Sequence, residues 1–117
     1  MTDASNRDTP WTLEGAQQAV DTWIDQWEEG YWPPLSNLAR LTEEVGELAR
    51  ELNQIHGDKP SDGDPDPGRL ADELGDILFV TITLANSLDI DLDDALKDVL
   101  HKYDVRDRDR FTPDESS

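Results

Sequence analysis

Two acidic motifs carry the chemistry open to this chain: Glu43-Glu44-x-x-Glu47 and Glu73-x-x-Asp76. Each lies inside a strongly apolar, helix-period pattern, where a carboxylate is costly unless a positive charge neutralises it. Glu44/Glu47 and Glu73/Asp76 are spaced i, i+3, so each pair falls on one face of its helix. Four carboxylates gathered by two packed helices repel one another and lose hydration together. Raised pKa values or a bound cation follow. An all-oxygen set suits a hard divalent ion, Mg2+ with Mn2+ as a substitute. Glu44, Glu47, Glu73 and Asp76 are therefore the expected metal ligands. Glu43 projects away from the apolar seam of its helix and is expected in solvent or just outside the site.

Spacing alone is weak support in so acidic a chain, since Asp91/Asp94 shows the same interval and reads as a helix cap with a solvated first turn. The apolar surroundings of Glu73 and Asp76 are what single them out. Opposite in charge stand Lys102 and Arg106, spaced i, i+4, followed by Arg108 and Arg110. A plain explanation is favourable interaction with a helix C-terminus. A sharper one is a phosphate clamp, for which Arg offers a planar fork and Lys a point charge. A caged metal with cations nearby is the layout for a polyphosphate, and a triphosphate is the expected ligand. Asn86 can hydrogen-bond that ligand or serve as a satisfied core amide. Trp32, in the turn before the acidic helix, is placed to stack on a base, whereas Trp23 and Trp27, at i, i+4, read as packing.

Rival metal sites fit poorly. A di-iron bundle needs Glu-x-x-His, and neither His56 nor His101 stands in such a motif. Asp62-x-Asp64-x-Asp66 with a later Glu73 superficially matches a calcium hand, but Pro67 stands where that loop needs Gly.

The elements that must position these groups are helical throughout, for no segment sustains alternation of period two. A first helix is predicted over about 12–29, with Leu13, Ala16, Val20, Trp23, Ile24 and Trp27 at helical spacing and Gly30 as its stop. Tyr31-Trp32-Pro33-Pro34 makes a stiff turn. The second helix, about 35–55, carries Leu38, Leu41, Val45, Leu48, Leu52 and Ile55 in steps of 3 and 4, an a/d seam. A separate strip of Ala39, Thr42, Gly46, Ala49 and Asn53 permits close approach of another helix, so packing on several sides is expected. The third, about 69–88, is apolar around nearly its whole circumference from Ile77 to Ala85 and is expected to be buried. The fourth begins after Asp91 and runs to about Asp107. Residues 11–107 form one domain with an acidic Pro/Gly loop at 56–68, between a flexible N-terminus at 1–10 and a C-terminal tail at 108–117.

A formal net charge of −18 over 117 residues argues against binding nucleic acid or anionic membrane surfaces. Absence of Cys rules out disulfides and thiolate metal sites. Nothing in Met1–Pro10 resembles a signal peptide, and a cytoplasmic location is expected. The Asp-rich, Lys-poor bias matches the solvated coat of a protein working at high salt, where screening makes self-repulsion tolerable.

Taken together, the motifs resemble the MazG-like nucleotide pyrophosphohydrolases of the all-α NTP pyrophosphatase superfamily, in their short single-domain branch. The likeness runs from about Gly30 to Phe111. It rests on the stretches Leu41–Glu51 and Asp72–Phe79, with Leu84–Leu88 and His101–Arg106 adding to it. The resemblance implies an all-α four-helix bundle completed by homo-oligomerisation, as a dimer or tetramer. It also implies Mg2+-supported hydrolysis of a nucleoside triphosphate to the monophosphate and pyrophosphate, in nucleotide-pool housecleaning. By the same analogy Glu44, Glu47, Glu73 and Asp76 hold the metal, and Lys102 and Arg106 contact phosphates near Asn86. Arg110 belongs to the same basic cluster. With no His in the motifs, Glu43 or Glu47 is the expected general base. Two other readings differ in class: a non-catalytic acidic module for self-association or partner binding, and a nucleotide sensor without turnover.

Overall fold

The structure, a computed structural model, describes residues 11–56, 67–112 and 114. The expected N-terminal segment, most of the acidic loop and the end of the tail lie outside the described residues. Within them the chain forms four α-helices and no strand: α1 (Leu13–Asp25), α2 (Pro34–His56), α3 (Pro67–Ser87) and α4 (Leu92–Asp107). None is long and apolar enough to cross a membrane.

Local chemistry explains the boundaries. Thr12 caps α1, its Oγ1 accepting from the Gly15 amide at 2.9 Å. α1 closes at Asp25, earlier than its apolar periodicity predicts. Trp27 leaves the helix in a turn whose amides bond Ile24 and Trp27 carbonyls, ending at Gly30 with φ 65°. Pro34 opens α2 at the first helical position, where its missing N–H costs nothing. Asp89 takes φ 56°, and the Ile90 amide returns to the Ala85 carbonyl at 2.8 Å, closing α3. Asp91 then caps α4 through the Asp93 and Asp94 amides, at 2.9 and 3.3 Å.

α2 and α3 make the principal interface as an antiparallel pair, α1 packs across α3, and α4 docks on α1. The buried apolar side chains among the described residues are Ala16, Ile24, Val80, Ile82 and Ala85, with Val80 the most enclosed. A polar hub ties the layers together. Asn86 donates from Nδ2 to the Gln17 carbonyl and the Tyr31 hydroxyl, both at 3.0 Å. Gln17 answers through Nε2 to Asn86 Oδ1 and the Ile90 carbonyl, both at 2.9 Å, and its Oε1 accepts from the Leu92 amide. Tyr31 in turn donates to Asp21 at 2.6 Å. Burial and that acidic partner push the Tyr31 hydroxyl up to about 12. Asn86 and Gln17 together thus fix α1, α3, the aromatic turn and the start of α4.

The seam on α2 divides. Leu41, Leu48 and Ile55 are partly covered, whereas Leu38, Val45 and Leu52 stay exposed within the single chain. Leu74 and Leu78 on α3 are also exposed, so that helix is buried on one side instead of all round. The strip around Gly46 meets open space, with nothing near the position of an added Cβ. Among the described residues, the principal helix partner of α2 is α3, which covers one of its sides.

Candidate metal centre and adjoining cavity

Antiparallel pairing places Glu44 of α2 against the first half of α3. Carboxylate oxygens of Glu44, Glu73 and Asp76 all lie within 4.8 Å of one another. Glu44 and Glu73 are partly buried, and Glu73 Oε2 is enclosed with no hydrogen-bond partner. The Glu73 carboxyl is pushed up to about 7, first by its hydrogen bond with Glu44 and then by desolvation. Repulsion from Glu44, Asp76 and Glu47 adds to the shift. An enclosed oxygen without a donor, among like charges, is the condition a hard cation relieves. The donor set is all oxygen and fits such an ion.

The remaining expected site residues are distributed as follows. Glu47 stands near enough to repel Glu73 but pairs with Arg50 one turn on, outside the convergent trio. Glu43 is exposed. Arg106 forks onto Asp107 through two 3.1 Å hydrogen bonds and stacks over Tyr103, and Lys102 lies over the same ring. Arg110 also approaches Asp107, at 3.8 Å. This basic end belongs to the helix docked on α1, while the carboxylates stand between α2 and α3. Asn86 spends its amide on the hub described above. A further buried carboxylate, Glu51, continues the groove with Oε1 3.8 Å from Arg69 and Oε2 without a partner.

Beside the carboxylates, toward the start of α2, lies a cavity of about 360 Å³. Trp23, Trp27, Trp32 and Phe79 form its aromatic walls, with Asn37, Arg40 and Thr83 among the polar lining. Trp23 meets Trp27 and Phe79 edge-on, at centroid distances of 5.8 and 5.9 Å. Trp23 and Trp27, expected as core packing, are instead about half exposed and form the cavity wall. Sequence reasoning missed Asn37 and Arg40, although Asn37, Arg40 and Glu44 fall at i, i+3 and i+7 on one face of α2.

Comparison with known proteins bears on the family and the fold. The family model of the MazG nucleotide pyrophosphohydrolase domain matches residues 33–111, from the turn before α2 to the end of the basic run. YpjD of Bacillus subtilis (strain 168), an uncharacterised protein, is 50% identical over 101 residues, covering 86% of this chain and 91% of YpjD. The crystal structure of B. subtilis YpjD, a candidate pyrophosphatase, superposes with a TM-score of 0.75 at 48% identity, over 81% of this chain and 97% of that one. A crystallised MazG protein conserved in Bacillus, itself a nucleotide pyrophosphohydrolase, gives 0.71 at 42% identity, over 92% and 98%. With its paired acidic helices and most of its length matched, this all-α chain belongs to the MazG nucleotide pyrophosphohydrolase family and is a hydrolase acting on nucleotides.

Proposed function

We propose that this protein hydrolyses a nucleoside or deoxynucleoside triphosphate to the monophosphate and pyrophosphate, with Mg2+ held by Glu44, Glu73 and Asp76 and with Glu47 beside them. The observation that carries this reading is the convergence of three carboxylates on one point where Glu73 Oε2 has no donor. A divalent ion bound there supplies charge neutralisation and orientation for the polyphosphate. Glu47, or Glu43 beyond it, accepts the proton of the attacking water as the α–β anhydride breaks and pyrophosphate leaves. Lys102, Arg106 and Arg110 meet phosphate oxygens, the two arginines by exchanging their present partner, Asp107, for a more highly charged one. Asn86 holds α1, α3 and the aromatic turn in place behind the site.

The working unit in this reading is a homo-oligomer, supported by the uncovered Leu38, Val45 and Leu52 stripe and by exposed Leu74 and Leu78. Assembly also brings the basic end of α4 to carboxylates it does not reach by docking on α1. Clearing surplus or non-standard nucleotides fits such an activity and puts it in the cytoplasm. Pyrophosphate release from a panel of NTPs and dNTPs, with Mg2+, with Mn2+ and with chelator, tests the proposal. Stoichiometric pyrophosphate that vanishes with chelator is the expected result. Release of single phosphates, or binding without turnover, overturns it.

A further inference from the structure

The cavity beside the carboxylates contains a buried polar group with no use inside the fold. Asn37 is only 4% exposed, yet its Nδ2 has no hydrogen-bond partner. An orphaned buried donor is costly, and its usual explanation is a ligand or a fixed water. One turn further along α2, Arg40 stacks over Trp32 and Phe79, with centroid distances of 5.5 and 5.9 Å. It has no carboxylate partner among the described residues, in a chain of net charge −18. Two donors without acceptors therefore share an aromatic chamber. The hydroxyls nearby are committed elsewhere, since Thr83 donates to the Val80 carbonyl at 2.7 Å and Tyr31 donates to Asp21.

We infer that this cavity reads the base of the nucleotide and selects bases that carry a carbonyl oxygen where adenine and cytosine carry their amino group, with Asn37 and Arg40 as the specificity-determining donors. Position supports the assignment. Asn37 precedes Glu44 by seven residues, about 10 Å along the helix axis, the span from a base across its sugar to the phosphates. Both residues lie on the face that meets α3, and Thr83 and Asp76 are likewise seven apart on α3. Flat aromatic walls hold any base by stacking and so cannot discriminate. Discrimination falls to the polar edge. An Asn side chain alone suits an amide-like or an amidine-like edge equally, because it carries both a donor and an acceptor. Arg40 breaks that balance, since a guanidinium only donates. Guanine, hypoxanthine and uracil offer it a carbonyl oxygen, whereas adenine and cytosine present an amino group at the corresponding place.

The inference rests on reading the groove as a nucleotide site, and its test separates the two. Pyrophosphate release is measured with GTP, ITP, UTP, ATP and CTP at saturating Mg2+. Wild type is expected to favour the first three in kcat/KM by about tenfold or more, because a site with unpaired donors rejects a ligand that cannot fill them. Asn37→Ala and Arg40→Met should each shrink that margin several-fold, mainly through KM, with Asn37→Ser as the alternative if the alanine variant does not fold. Quenching of tryptophan fluorescence in metal-free wild type by GMP, at concentrations where AMP has little effect, should report the same order without turnover. If no nucleotide is hydrolysed, the proposed reaction fails, and the GMP/AMP comparison still decides the cavity. Equal kcat/KM for all five, or a preference for ATP or CTP, overturns the base assignment alone.

Discussion

Glu73 of α3 and Glu44 of α2 bring carboxylate oxygens within 4.8 Å of each other, and this closeness favours the protonated form of Glu73. That contact forms between residues 29 positions apart and survives only because one partner stays protonated to about pH 7. A cation and that proton compete for the same oxygens, and several measurable consequences result.

Replacing either acid on α3 separates stability from activity. Glu73→Gln and Asp76→Asn should lower kcat/KM by more than about a hundredfold, beyond the 10- to 100-fold typical of groups that merely support a metal ligand. The same variants should melt at or above the wild-type temperature without metal, because they relieve carboxylate repulsion. Loss of folding, seen by circular dichroism, would contradict the assignment of these groups to function.

The raised Glu73 value sets a pH dependence for the metal-free protein. Its carboxyl takes up a proton more readily when folded (about 7) than at the ordinary value of 4.5. The folded state thus binds more protons between those limits, and this contribution to stability is complete below pH 4.5 and is lost as pH rises through 7. Wild type in chelator should therefore lose melting temperature between pH 5 and 8 relative to Glu73→Gln. Mg2+ should cancel that loss at pH 8, and its affinity should fall as pH drops below 7. Parallel melting profiles for the two proteins would refute the prediction.

Asn86 separates a structural amide from a ligand contact. Its Nδ2 and Oδ1 are already bonded to Gln17 and Tyr31. Asn86→Leu strands those partners and should destabilise the fold by roughly 2 kcal/mol or more, since each orphaned buried group costs about 1–3 kcal/mol. KM at low temperature should change little. A large rise in KM with an unchanged melting temperature would instead place Asn86 on the substrate.

Oligomerisation is tested on the uncovered side of α2. Leu52→Glu puts a charge in the exposed Leu38, Val45, Leu52 stripe without altering a proposed ligand. Light scattering should show wild type as a multimer and the variant shifted toward monomer, with reduced turnover. A monomeric, fully active wild type would remove the need for a second copy.

The amino-acid sequence alone determined the helical class, the approximate bounds of all four helices and the identity of the acidic residues worth examining. Periodicity, proline, glycine and capping residues act over a few positions, so the Asp91 cap could be read directly. By contrast, α1 ends at Asp25, ahead of the stop expected at Gly30, and α2 opens at Pro34, one residue before its expected start. Which carboxylates meet was decided only in three dimensions. Glu44 and Glu47 look equivalent at i, i+3, but crossing α2 against α3 aims Glu44 at Glu73 and Asp76 and leaves Glu47 to Arg50. Likewise Asn37 was an unremarked amide near a helix start until α1, α2 and α3 enclosed it and left its donor without a partner. Spacing fixes a side chain's direction on its own helix, whereas convergence between helices depends on their packing register, which no local pattern encodes.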